Sequence, residues 1–331
     1  MNTRISRRQL LAGGAGVMLL GLGAVRAQKG PAAVRFADNP SISWPQPYIA
    51  TRDGLWQQNG IDVSPTSQRF GTGQSSLNTM LQSDEVHMAV VAETPITLAL
   101  IAGMPLRIVT GLSSTTWYVS TKKSSNIKTL KDLAGHRLGV AVGTSAEYFM
   151  DMALSSAGLT QKDVQVINVK PTDMVPALSG GSLDAFFIWD PFRFEARRIL
   201  GDEYVELSFP DFRSNAFLVT KADFVEKHRD MVAPILKSLI EANQAMEADP
   251  AASASYMAGL MGINPEIAAA VWKTHRYDVA LRHDMVQAFE NYGRYVVGKG
   301  IVPKGTKLPD FQAAMLADEM KAVDPARLDL A

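Results

Sequence analysis

Two short segments of this chain carry the pattern of an anion-binding helix start. In Phe70-Gly71-Thr72-Gly73-Gln74-Ser75-Ser76, glycines and hydroxyls precede a helical run, and Val142-Gly143-Thr144-Ser145-Ala146-Glu147 repeats the order strand, glycine, hydroxyl, helix. The first N–H groups of a helix lack partners within it, and the aligned peptide dipoles add partial positive charge there. Thr72, Gly73 and Ser75, with Thr144 and Ser145, could therefore hold a sulfonate, nitrate or carboxylate without a salt bridge. Ordinary capping explains either segment alone. Their recurrence at corresponding places points to a site.

Three further segments join them. The loop Asp38 to Trp44 offers Asn39, Ser43 and Trp44, and Ala92-Glu93-Thr94-Pro95 reads as a threonine cap followed by proline at the first helical position. In Ile188-Trp189-Asp190-Pro191-Phe192, Trp189 could cover an apolar ligand body while Asp190 accepts from an amine or hydroxyl. Alternatively, Trp189 packs inside and Asp190 caps the helix opened by Pro191. Carboxylates repel an anion, so Glu93 and Asp190 either meet the ligand's other end or serve as caps. Asn215, in a later chain crossing, completes the candidate set.

These loops need strands and helices to position them. Short apolar runs alternate with helical patterns from about Val34 to Val219: strands near 34–36, 61–63, 88–91 and 106–109, then near 118–121, 137–142, 164–169 and 183–188. The intervening helices include one expected over 46–59, one capped at 73–75, and others beginning near Thr129, Ser145, Thr172 and Pro191. Repeated strand-helix-strand order predicts a mostly parallel sheet covered on both faces. After Ala222 the strands are expected to give way to helices over 231–248, 250–261, 265–274 and 284–297. The expected fold class is α/β, with two lobes and a helical C-terminal tail. Residues 31–115 with 217–331 would form lobe I and residues 116–216 lobe II, the chain crossing near 113–117 and 211–216. Ligands of open α/β sheets bind beyond the carboxyl ends of strands, where all five segments fall.

Composition excludes several classes. Lys+Arg and Asp+Glu both number 33, which leaves no surplus charge to hold nucleic acid. With no cysteine there is no disulfide, thiolate metal site, cysteine nucleophile or lipoprotein anchor. None of the five histidines forms a metal pair at helix spacing, and His275 and His283 read as solvated tail residues. Gly143 to Glu147 resembles a nucleophile elbow only superficially, and no phosphate loop with its lysine exists. The expectation is therefore a binder, not an enzyme, with neither cofactor nor metal. Arg7 and Arg8, the glycine-rich apolar run from Ala12 to Val25, and small residues near Ala27 read as a twin-arginine export signal over residues 1–27, the ordinary secretory route being the competitor.

Several segments resemble a known family. Tyr48 to Val63 (YIATRDGLWQQNGIDV), Leu130 to Gly135 leading into Leu138-Gly139-Val140, Gly181 to Ala185 leading into Trp189-Asp190-Pro191, and Gly300-Ile301-Val302-Pro303 are similar to the aliphatic-sulfonate, taurine and nitrate binding proteins of ABC importers. The resemblance runs along nearly all of the chain after the leader. It implies the type II periplasmic-binding fold, a periplasmic monomer, a ligand held between lobes and a permease partner in the membrane. The chain departs from sulfonate-binding members at Gly71 to Ser75, at Thr94-Pro95-Ile96 and at Asn39 to Trp44. Nitrate, aromatic-acid and pyrimidine- or flavin-precursor binders stay open, as does, more remotely, a pyrimidine-synthase-like enzyme.

Overall fold

A computed structural model describes residues 33–69 and 71–330; the leader assigned to residues 1–27 and Phe70 of the first glycine segment fall outside them. The chain begins with β1 (Ala33–Asp38), α1 (Gln46–Arg52), α2 (Leu55–Gln58), β2 (Asp62–Arg69), α3 (Gly73–Gln82), β3 (Met88–Ala92) and α4 (Glu93–Ile101). The single helix expected over 46–59 is two, because Gly54 takes φ +67° and turns the chain between them. Strand β3, Met-Ala-Val-Val-Ala, is buried on both faces, as a strand covered by helices on each side must be.

Next come β4 (Leu106–Lys122), β5 (Arg137–Val140), α5 (Ser145–Ser156), β6 (Gln165–Asn168), α6 (Met174–Ser179), β7 (Ala185–Phe187), α7 (Phe192–Leu200) and β8 (Tyr204–Lys221). The order along the sheet is β2-β1-β3-β8-β4-β7-β5-β6. Two parallel wings, β2-β1-β3 and β7-β5-β6, therefore flank an antiparallel pair, β8 with β4. The expectation of a mostly parallel sheet holds for the wings and fails at the centre. Where the sequence suggested separate strands near 106–109 and 118–121, β4 is one strand of 17 residues paired with the 18 of β8. The polar run Ser113 to Thr116 hid this continuity, for its hydroxyls lack apolar alternation yet suit extended backbone. Register shifts between Ile108 and Thr110, Gly111 and Ser113, and Thr116 and Tyr118 let the long ladder bend without breaking.

The last third contains α8 (Ala222–Lys227), α9 (Val232–Ala248), α10 (Pro250–Met261), α11 (Pro265–Trp272), β9 (His275–Arg282), α12 (His283–Lys299), α13 (Ala317–Val323) and β10 (Leu328–Asp329). Strands do not vanish after Ala222: β9 pairs antiparallel with Gly111 to Thr115 of β4, and β10 pairs with β9. Val279, Ala280 and Leu281 are fully buried there, which removes His275 from the solvated tail assigned to it; His283 is exposed as expected.

Apolar side chains gather in two cores. One draws on Val34 to Leu112, Phe217 to Val219 and the C-terminal helices; the other runs from Trp117 to Phe212. Strands β4 and β8 pass from one to the other. So does α12, which gives Met285 and Phe289 to the first core and Tyr292 and Val296 to the second. Its far end is tied to α5, where the Asp151 carboxylate accepts from Tyr295 Oη at 2.7 Å and from Lys299 Nζ. No helix among the described residues is long and apolar enough to cross a membrane.

Candidate functional site

Between the two cores lies a cleft of about 460 Å³. Its walls include Asn39, Ser43, Trp44, Thr72, Gly73 and Thr94 from elements of the first core, and Thr144, Ser145, Trp189 and Asp190 from those of the second. Asn215 joins them from β8. Five loops distant in sequence thus meet where strand ends were expected to bring them together.

The tip of α3 is held by a reciprocal cap. Thr72 Oγ1 accepts from the Ser75 N–H at 3.2 Å while Ser75 Oγ accepts from the Thr72 N–H at 3.3 Å. Thr72, not Ser75, is therefore the capping residue, and Ser75, spent on that exchange, is not among the residues lining the cleft. Gly73 lets the helix press against β3: a Cβ there would lie 3.1 Å from Val91 Cγ2 and 3.2 Å from its Cα. The α5 tip has the same logic, for Thr144 Oγ1 accepts from the Ala146 N–H at 3.1 Å. Gly143, at φ +79°, makes the preceding turn, and its N–H donates to Glu147 Oε2 at 2.8 Å.

Helix α4 differs from its expected form. It starts at Glu93, with Ala92 in the cap position, so Thr94 and Pro95 lie inside its first turn and Thr94 is no cap. Freed from capping, the Thr94 hydroxyl is hydrogen-bonded to Ser145 Oγ, 2.8 Å away, joining the α4 and α5 tips across the cleft. Glu93 does not line the cleft. Its buried carboxylate accepts from the Asn215 N–H at 2.8 Å and the Ser214 hydroxyl at 3.3 Å, fastening α4 to β8. Burial pushes its pKa up to about 7, against the pull of those hydrogen bonds.

At the opposite wall Asp190 is already neutralised. Arg193 donates to both its oxygens at 3.0 Å, also meets Glu206 at 3.3 Å, and lies 4.3 Å above the Tyr118 ring. Asp190 is thus a partner of Arg193 and makes no helix cap; the α7 cap position is Pro191, without a side-chain bond. Trp189 is half-buried: it packs against the second core and also lines the cleft, so the two readings of it meet in one side chain.

Sequence reasoning missed several walls. Trp117, Phe192 and Glu195 come from the second-core side, Tyr292 from α12 and His275 from β9. His275 Nδ1 is 3.1 Å from the Val271 carbonyl, which can only accept, so Nε2 takes the Ser43 hydroxyl at 3.2 Å. Burial lowers its pKa against the opposing field of Asp190, which keeps the ring neutral near pH 7. Among the described residues lining the cleft there is no lysine or arginine. Any negative oxygen held here must be met by N–H and hydroxyl groups.

A family model described as NMT1/THI5 like matches residues 45–253. The taurine-binding periplasmic protein of Escherichia coli K12 is 24% identical over 188 residues, covering 55% of this chain and 58% of that protein. The crystal structure of the periplasmic aliphatic sulphonate binding protein SsuA from Escherichia coli aligns with a TM-score of 0.73 at 21% identity, covering 86% of this chain and 97% of the other. The desulfurization enzyme DSZB aligns at 0.67 and 14% identity, over 89% of this chain and 99% of the enzyme. The architecture is that of the periplasmic binding proteins, a fold that carries binders and at least one enzyme. The family match spans more than half of the chain and contains every cleft wall from Gly71 to Ala216, and the chain belongs to the NMT1/THI5-like family.

Proposed function

We propose that this chain is the extracytoplasmic solute-binding protein of an ABC importer, capturing a small organic anion of the sulfonate or taurine-like kind. Residues 31–115 with 217–331 act as one lobe and residues 116–216 as the other. The observation that carries the reading is the convergence of the α3, α4 and α5 tips, drawn from both cores, on one cleft lined by hydroxyls and free of cationic side chains. A helix start offers partial positive charge with no lysine to desolvate, so the anion's head group belongs there. The named relatives that bind taurine and sulphonate support the ligand class.

The mechanism is a population shift. Open and closed forms interconvert about β4 and β8, and a ligand touching Thr72 and Thr94 on one side and Thr144, Ser145 and Trp189 on the other favours closure. The closed form then docks on a membrane permease, and the protein works as a periplasmic monomer without catalysing a reaction. Isothermal titration with methanesulfonate, taurine, nitrate and aromatic acids tests the reading. Heat from at least one of these anions is expected, with Ser145→Phe losing binding out of proportion to the modest stability lost with its bond to Thr94. No heat from any of them would end the anion reading, and equal loss of binding and stability would reduce Ser145 to a packing residue.

A further inference from the structure

The cleft's walls say more about the ligand than its head group. Three of the chain's five tryptophans, Trp44, Trp117 and Trp189, line it, together with Phe192 and Tyr292. Trp44 packs with the first core, whereas Trp117, Trp189 and Phe192 pack with the second, so aromatic side chains border the cleft from both sides. They are fixed in place. Trp117 stands edge-on to Phe149 at 5.3 Å and to Phe212 at 5.7 Å, with Trp189 tilted 6.5 Å from it. Trp44 Nε1 donates to the Asn39 carbonyl at 2.5 Å. Rings locked before binding lose little rotamer freedom on contact, so their faces serve a flat partner at small entropic cost.

Size and charge agree. At the ~30 Å³ a water occupies in the liquid, the cleft's 460 Å³ equals about fifteen water volumes. A two-carbon sulfonate takes up on the order of four water volumes, about a quarter of that, leaving apolar ring surface wet. Of the two carboxylates among the described residues on the cleft wall, Asp190 is occupied by Arg193 at both oxygens, which leaves Glu195 alone to meet an ammonium such as taurine's.

Resting on the anion reading above, we infer that the ligand is a ring-bearing anion, an arenesulfonate or aromatic carboxylate, with its head group at the Thr72, Thr94 and Ser145 end and its ring among Trp44, Trp117 and Trp189. Trp189 is then a specificity-determining residue. It confers preference for an aromatic body and contributes nothing to head-group recognition.

The test is titration of the full chain with benzenesulfonate and methanesulfonate, which share a head group and differ in body. Benzenesulfonate is expected to bind at least about tenfold more tightly than methanesulfonate or taurine. Trp189→Ala should shrink the ratio of benzenesulfonate to methanesulfonate affinity about tenfold, whatever it does to closure itself, and Trp189→Phe should keep most of that ratio. Thermal melting of each variant separates lost binding from lost fold, with Trp189→Phe carrying the comparison should the alanine variant melt early. If methanesulfonate or taurine binds as tightly as benzenesulfonate, or Trp189→Phe weakens all three alike, the ring-bearing ligand is wrong and the anion reading stands. If no anion binds, both fall.

Discussion

Thr94 Oγ1 and Ser145 Oγ are hydrogen-bonded at 2.8 Å, one from the first turn of α4 and the other from the first residue of α5, and both are almost fully buried. The two hydroxyls belong to elements packed on different cores. The bond therefore bridges the cleft directly, and it is one of the contacts that must part if the walls separate.

Removing one partner of that bond leaves the other buried and unpaired. Thr94→Val, which keeps the shape, should cost about 1–2 kcal/mol in urea denaturation, and Thr94→Val with Ser145→Ala should recover much of it. Two additive losses in the double-mutant cycle would show that the hydroxyls do not interact in solution.

Glu93 makes stability depend on pH. Its folded pKa, about 7, stands above the ordinary carboxyl value of 4.5, so the folded chain binds the proton more tightly than the unfolded chain does. The resulting stabilisation is complete below pH 4.5 and disappears as pH rises through 7. Relative to Glu93→Gln, which stays neutral, the wild type should lose up to about 3 kcal/mol between pH 4.5 and 8. Urea midpoints of the two proteins that move in parallel across that range would refute this.

Close packing at the α3 tip gives a third expectation. In Gly73→Ala the new methyl meets the Val91 backbone as well as its side chain, and a backbone atom cannot rotate away. The variant should lose about 1–3 kcal/mol and displace Thr72 from the cleft wall, weakening whatever anion the wild type binds. A variant as stable as wild type, with unchanged affinity, would mean that the tip yields freely.

How far the site could be read from sequence follows from where its signals are local. Thr144 and Ser145 stood out because strand, glycine, hydroxyl and helix follow one another within a few residues. Thr72 and Ser75 were found by the same rule but with roles exchanged, since a serine at the third helical position can return the cap's hydrogen bond as glutamate more often does. Thr94 looked like a cap because proline follows it, and only the buried acid at Glu93 shows that the helix starts earlier. His275 and Tyr292 carried no local signal. The first belongs to a strand whose apolar residues are interrupted by Arg276 and Asp278, and the second to a helix that reaches the cleft only because α12 spans both cores. The parallel wings are legible from alternation, whereas the two hinge strands expected near 113–117 and 211–216 give no sign of how long β4 and β8 run or that they pair, since their ladder runs through polar residues that periodicity reads as loop.

Arg193 provides the last expectation. It is 4% exposed, paired to both oxygens of Asp190 and within 3.3 Å of Glu206, and stacked on Tyr118. Desolvating it is costly, and two carboxylates with an aromatic face offset that cost. Arg193→Leu removes the cation but leaves Asp190 facing the cleft and Glu206 without its inner partner, so a loss of about 3–5 kcal/mol is expected. Arg193→Lys should recover only part of it, because an ammonium cannot address both oxygens of Asp190 while lying flat on Tyr118. Adding Asp190→Asn to Arg193→Leu should restore part of the stability, since the uncompensated charge is then gone. That rescue separates a charge-balancing role from simple packing: if Asp190→Asn deepens the loss, Arg193 matters for its shape and its stacking, and the neutrality of this wall has another source.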